Sequence, residues 1–260
     1  MTDVQPKIAF RHVSKIFGDG PKAFTALRDL TLDIADGEIV TVVGPSGCGK
    51  STAMNIVAGL TSVSTGECLV DNTSVKGPGP DRGVIFQQYA LFPWLTVIKN
   101  VEFGLRLQGI AREERRERAM HYLELVGLKE FAQAYPKTLS GGMKQRCAIA
   151  RAYAVNPSVL LMDEPFGALD ALTRVKLQDQ LLDTWSKDKR TIMFITHDVD
   201  EAVYIAHRVV VLAAKPGRLQ EIIDVDLPFP RNEEVRLSPE FTEIRNKVWR
   251  AVYDRSAEAA

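Results

Sequence analysis

Long apolar runs are missing from this 260-residue chain; stretches such as Val159-Leu160-Leu161-Met162 cover only a few residues, where a helix that crosses a bilayer takes about 20. No membrane span is expected. A charge of one sign is missing too: 33 lysines and arginines cancel 33 aspartates and glutamates. With no long-range field to draw in a polyanion, nucleic acid is not an expected partner. The opening Met1-Thr2-Asp3-Val4-Gln5-Pro6 has neither a basic stretch followed by an apolar one nor a small-residue cleavage site, so no export signal is read and a cytosolic protein is expected. Cysteine is scarce. Cys48, Cys68 and Cys147 are odd in number and widely spaced, which argues against a disulfide framework or a CxxC metal clip and for reduced, structural thiols. Repeats and low-complexity tracts are also lacking. What is there is core material: 45% hydrophobic residues exclude a wholly disordered chain. The length suits one large domain, two modest ones, or one lobe inserted in another.

Hydrophobic periodicity places strands at residues 7–13 and 30–34, joined through a Gly- and Pro-containing turn at 18–21. Residues 38–43 are β-branched and apolar on both faces, as in a strand covered on both sides. Further buried strands at 159–162, 191–195 and 209–212 alternate with helices at 171–185 and 199–205, which predicts a largely parallel sheet. Between Gln87 and Asn156 the strand signal gives way to helices at 97–107, 112–126 and 141–154. The fold class is therefore α/β: a largely parallel sheet flanked by helices, with an antiparallel β edge and an inserted α-helical subdomain. The expected division is 1–86 with 157–226 as the α/β core, 87–156 as the insert, and 227–260 as a carboxyl-terminal linker and helix. The mixed charges at 112–118, with Glu114 four positions before Arg118, read as a solvated helix face. In the tail, Pro228-Phe229-Pro230 reads as a linker, and Ser238 with Pro239 marks a helix start. The stripe Phe241, Ile244, Val248 and Val252 packs on the parent domain or receives a partner.

The sharpest signal is Gly44-Pro45-Ser46-Gly47-Cys48-Gly49-Lys50-Ser51-Thr52, a GxxxxGK[ST] loop between a buried strand and a helical segment. Its glycines let backbone N–H groups wrap a polyphosphate, and the helix from Lys50 aims the positive end of its dipole at it. Lys50 is placed to bridge β- and γ-phosphates, and Ser51 offers Mg²⁺ a hydroxyl. Asp163 closes the second buried strand, where the metal-anchoring acid of such a site belongs, and Glu164 follows it as candidate base for the attacking water. An N-capping acidic pair is the bland alternative. His197 closes the strand at 191–195; alone it reads as structural, and with the other two loops as a γ-phosphate contact.

A second anion site, Leu139-Ser140-Gly141-Gly142-Met143-Lys144-Gln145-Arg146, opens a helix about twenty residues before the acidic strand. One compact site does not need two phosphate-binding helix termini, so the second is expected to serve another subunit. With these motifs in order from Ile8 to Ile223, the chain resembles the ATP-binding cassette (ABC) family, a P-loop NTPase core. The resemblance implies that Gly44 to Thr52 is the Walker A loop, and that Gln87 is the Q-loop residue touching metal and transporter interface. It makes Ser140, Gly141 and Gly142 the signature over the partner's nucleotide, Asp163 and Glu164 the Walker B acids, Asp170 the D-loop aspartate and His197 the switch histidine. Phe17 is implied to stack on adenine; it lacks the hydroxyl or indole of the usual Tyr or Trp, and nearby Phe24 could serve instead. Met143 and Gly167 also depart from the commonest pattern without removing a charge or a metal ligand.

The stretches Phe86 to Val97, Met162 to Thr173 and Thr196 to Ala202 resemble the bacterial importer branch for nitrate, sulfonates and taurine. That resemblance implies ATP and Mg²⁺, a head-to-tail homodimer, transmembrane permease subunits, a periplasmic or lipoprotein solute-binding protein, and a peripheral place on the cytoplasmic side of the cell membrane. The apolar stretch Tyr89 to Leu95 either helps form a groove for a permease helix or packs in the core. A soluble ABC ATPase of DNA repair or translation is the alternative; two cassettes in one chain, a coiled-coil insert or zinc-binding cysteines would favour it.

Overall fold

In the computed structural model the described residues are 5–253, and the chain divides into two compact units, residues 1–79 with 181–260 and residues 80–180. The β-branched runs of the first unit make its centre. β1 (Ile8–Phe17) and β2 (Phe24–Ile34) form an antiparallel pair. β3 (Ile39–Val43) follows, every residue of it buried, and leads through the Gly-rich loop into α1 (Lys50–Val57). β4 (Thr65–Val70) and β5 (Thr73–Ser74) complete a four-stranded sheet of order β2-β1-β4-β5.

The second unit opens with β6 (Arg82–Ile85) and continues through α2 (Val97–Leu107), α3 (Arg112–Leu125) and α4 (Gly141–Ala154) to β7 (Val159–Asp163). β6 and β7 pair in parallel, Arg82 opposite Val159 through Ile85 opposite Met162. The helices pack on one another because each buries an apolar stripe, Val97, Ile98, Val101 and Leu105 on α2 and Ala119 and Leu123 on α3. The charge run of α3 lies on its outside, where Glu114 and Arg118 pair at 2.7 Å with partly exposed side chains, a bond worth only tenths of a kcal/mol (about 0.3–0.5).

α5 (Ala171–Asp188) carries the chain back into the first unit. There β8 (Thr191–Ile195) and β9 (Arg208–Ala213) pair in parallel on either side of β3, and β10 (Arg218–Asp224) adds antiparallel to β9. Between β8 and β9 runs α6 (Val199–Ile205), N-capped by Asp198 and tied to the sheet where the Thr41 hydroxyl donates to the Ala202 carbonyl at 3.1 Å. α7 (Glu233–Leu237) and α8 (Pro239–Tyr253) close the described chain. No helix among the described residues is long and apolar enough to cross a membrane.

The α/β class, the parallel pairs about β3 and the three helices of residues 97–154 agree with expectation. Other elements correct it. The first two strands run to Phe17 and from Phe24, well past residues 13 and 30, because register shifts at their pairing interrupt the two-residue alternation. His12 and Asp29 stand in the left-handed region there, at φ +49° and +51°. β4, β5, β6 and β10 were not expected: all four are short or largely exposed on one face, and such segments lack a run of apolar residues to announce them. The stretch read as a linker is anchored, since the Phe229 ring packs 4.8 Å from His207 and 5.0 Å from Trp185. The three cysteines are buried as expected, with no disulfide among the described residues.

Candidate active site

The first unit holds the phosphate loop. At Gly44, φ is +148° and a Cβ would lie 2.3 Å from the Leu212 carbonyl oxygen. At Gly49, φ is +90° and a Cβ would lie 2.6 Å from Leu27 Cδ2. Gly47, at φ +77°, turns the exposed tip. The left-handed bends are what let the backbone curl before α1 begins at Lys50. Gly49, the N-cap of α1, offers no side chain to its first N–H groups, so these stay ready for an external anion. Lys50 Nζ donates to the carbonyl oxygens of Gly44, at 2.8 Å, and Pro45, at 3.1 Å. Behind the loop, burial pushes the Cys48 thiol pKa up, against the pull of Lys50 3.7 Å away. Ser51 is exposed and Thr52 half-buried on the first turn of α1. Three glycine bends, an uncapped helix start and a lysine amine make a donor set of the kind a triphosphate needs.

His197 follows β8 and leads into α6. Asp198 Oδ1 accepts from the Glu201 N–H at 3.1 Å, and the Asp198 N–H donates to Thr196 Oγ1 at 3.0 Å, which fixes the turn on which His197 sits. His197 shares a cavity of about 230 Å³ with Gly44, Pro45 and Ser46. Phe17, half exposed at the end of β1, stands opposite Phe24 across the β1–β2 ladder, with Lys15 Nζ 4.9 Å from its ring centroid. The two rings are thus cross-strand neighbours.

The second unit holds the remaining candidates. Asp163 ends β7 half-buried. Glu164 comes next at φ +47°, a left-handed conformation that costs a non-glycine residue roughly 1–3 kcal/mol and that clusters at functional turns. Gln87 Nε2 donates to Glu164 Oε2 at 3.0 Å, so two residues 77 positions apart are brought into direct contact. Ser140 N-caps α4, its Oγ accepting from the Met143 N–H at 3.3 Å. A Cβ on Gly141 would lie 2.9 Å from the Tyr89 hydroxyl, and one on Gly142 3.2 Å from Leu169. Asp170 Oδ1 accepts from the Thr173 N–H at 3.0 Å, which holds its carboxyl below the ordinary range and caps the start of α5. A serine hydroxyl and a strand-end carboxylate are each hard oxygen donors of the kind magnesium takes alongside water and phosphate oxygens, which is the chemistry Ser51 offers in the first unit and Asp163 in the second.

Two positioning residues escaped the sequence reading. Asn100 is fully buried on α2 and closes four hydrogen bonds around residues 92–96: its Oδ1 accepts from the Phe92 N–H, and its Nδ2 donates to the carbonyls of Phe92, Leu95 and Thr96. Arg151 on α4 donates to the carbonyls of Ala90, at 2.6 Å, and Tyr89, at 3.3 Å. Together they pin the segment that follows Gln87. An asparagine three positions from Val97 on the apolar stripe of α2 was the available signal.

The ABC transporter family profile matches residues 27–167. The chain is 68% identical over 255 residues to a Brucella abortus (strain 2308) protein whose name goes no further than ATP binding, covering 98% of this chain and 96% of the relative. It is 48% identical over 241 residues to the aliphatic sulfonates import ATP-binding protein SsuB of Bacillus licheniformis, 93% of this chain and 92% of the relative. To the nitrate import ATP-binding protein NrtD of Synechocystis it is 45% identical over 252 residues, 95% of each. Among solved structures it resembles the dimeric, post-hydrolysis cassette MJ0796 bound to ADP and Pi, with TM-score 0.78 and 35% identity over 85% of this chain and 100% of that one. The chain therefore belongs to the ABC transporter family as an ATP-hydrolysing cassette, in the branch that includes nitrate and sulfonate import ATP-binding proteins.

Proposed function

We propose that this chain is the ATP-hydrolysing subunit of a bacterial importer that takes up a small anionic solute such as nitrate, a sulfonate or taurine. The observation that carries the reading is the loop after β3, whose glycine bends and Lys50 amine form a cradle for a triphosphate. Residues 44–52 bind the phosphates of ATP; Lys50 leaves its loop carbonyls for the β- and γ-phosphate oxygens, and Phe17 or Phe24 stacks on adenine. Ser51, Asp163 and Gln87 would hold Mg²⁺, which when bound would neutralise negative charge on the phosphates. Glu164 takes a proton from the attacking water, and His197 contacts the γ-phosphate.

Two copies close head to tail, each ATP lying between Lys50 of one and Ser140, Gly141 and Gly142 of the partner subunit, with Asp170 at the interface. The dimeric state of the MJ0796 cassette supports this arrangement. The dimer works on permease subunits at the cytoplasmic face of the membrane and is supplied by a periplasmic or lipoprotein solute-binding protein. In this reading residues 87–156 are the inserted subdomain that faces the permease, through the segment after Gln87. Import functions of the SsuB and NrtD relatives support uptake over DNA repair or translation.

The test is ATP turnover by the isolated chain. The rate per subunit is expected to rise with protein concentration; Lys50→Ala is expected to abolish turnover, and Glu164→Gln to retain ATP and elute as a dimer. Unchanged turnover in Lys50→Ala overturns the reading.

A further inference from the structure

The carboxyl-terminal segment has no part in the chemistry described above, yet it is fastened to the helix that follows His197. Arg231, 5% exposed, donates through Nη1 to the carbonyls of Val203, at 2.8 Å, and Tyr204, at 2.7 Å, in the last turn of α6. The Tyr204 hydroxyl returns a bond to the Arg231 carbonyl at 3.1 Å, a reciprocal clamp. The Arg236 guanidinium lies 3.3 Å from the centroid of the same Tyr204 ring. α8 packs on α6 and β9 through Phe241, Val248 and Val252, and Arg245 approaches Asp200, in the first turn of α6, at 3.8 Å.

The far end of α8 reaches the phosphate loop itself. Val252 and Tyr253 line the 230 Å³ cavity whose other walls include Gly44 to Ser46 and His197. Trp249, one turn earlier, packs on Tyr253 in a tilted pair with ring centroids 4.2 Å apart. α6 has only seven residues, too few to hold its own orientation. Its direction, and with it the turn carrying His197, is set by what packs on it.

We infer that the carboxyl-terminal segment is a positioning element for His197: Arg231 orients α6 from its end, and Tyr253 lines the histidine's cavity beside the phosphate loop. This rests on the reading of His197 as a γ-phosphate contact. Displacements of about 1 Å in a reacting constellation cost up to about 10²-fold in rate, so the segment acts on turnover rather than on nucleotide capture.

Tyr253 is half exposed, and Tyr253→Ala leaves the buried face of α8 intact. In the full chain, kcat for ATP is expected to fall about tenfold in Tyr253→Ala, less in Trp249→Ala, with KM and the affinity for a fluorescent ATP analogue within about twofold of the parent. Tyr253→Phe, which keeps the bulk of the side chain, is expected to keep the parent rate. In His197→Ala, adding Tyr253→Ala is expected to cost nothing further, because an effect relayed through a residue vanishes with it. Parent-like kcat in Tyr253→Ala, a matching loss of nucleotide affinity, or a second tenfold loss in the double variant overturns the inference while leaving the proposed function standing. A parent chain that binds ATP and never hydrolyses it overturns both.

Discussion

At the scale of single residues the site is built from positions that accept one side chain or none. Gly49→Ala puts a methyl group 2.8 Å from the Ala26 carbonyl oxygen, at a φ of +90°, and is expected to abolish binding of a fluorescent ATP analogue and to cost about 1–3 kcal/mol of stability. Such glycines were legible because phosphate binding imposes their spacing. Asn100 was harder to see: its place on the apolar stripe of α2 marks it as buried, but nothing in the sequence names the four hydrogen bonds it closes at 0% exposure. Asn100→Ala strands the Phe92 N–H and is expected to cost about 1–3 kcal/mol. A lower thermal midpoint, by about 2–4 °C per kcal/mol, with ATP affinity retained is the outcome to look for.

At the scale of elements, the strands that were read correctly, β3, β7, β8 and β9, are buried along all or nearly all of their length, where a run of apolar residues leaves little ambiguity. The edges were obscure because exposure on one face dilutes that signal, as in β10 and in the bulged pair β1–β2. The segment after β10 was obscure for another reason: its order comes from distant partners. Phe229 stacks on His207, and Arg231 caps α6.

His207 gives that packing a pH signature. Its ring lies among Trp185, Phe229 and Arg231, with Lys189 and Glu38 close enough to act on it, and its Nδ1 accepts from the Ile39 N–H at 3.0 Å. Burial first, then the Arg231 charge, hold its pKa below the ordinary 6.5. As pH falls below about 6.5 the unfolded chain takes up a proton before the folded one does, so stability is full above that pH and declines below it. The thermal midpoint is expected to drop more between pH 8 and 5.5 in the parent than in His207→Asn, which keeps an acceptor for Ile39 and cannot titrate. Equal drops would mean that other groups set the acid limit.

At the scale of the whole molecule, the three cysteines report on the integrity of the fold. Cys48, Cys68 and Cys147 are 1%, 3% and 0% exposed, and burial pushes the Cys147 thiol up to about 12. At pH 8 a thiol-specific reagent is expected to label none of them in the native chain and all three once denaturant unfolds it. Labelling that outruns unfolding would locate an opening smaller than the whole.

Lys50 grips the carbonyls of Gly44 and Pro45, and so it is never a naked cation waiting for an opposite charge. In the proposed reading, arrival of a triphosphate is a swap of partners, and its departure is the same swap reversed, with the loop's own oxygens ready to take the amine back. On that reading, release of nucleotide strands no charge in the fold, because the carbonyls of Gly44 and Pro45 are there to receive the amine.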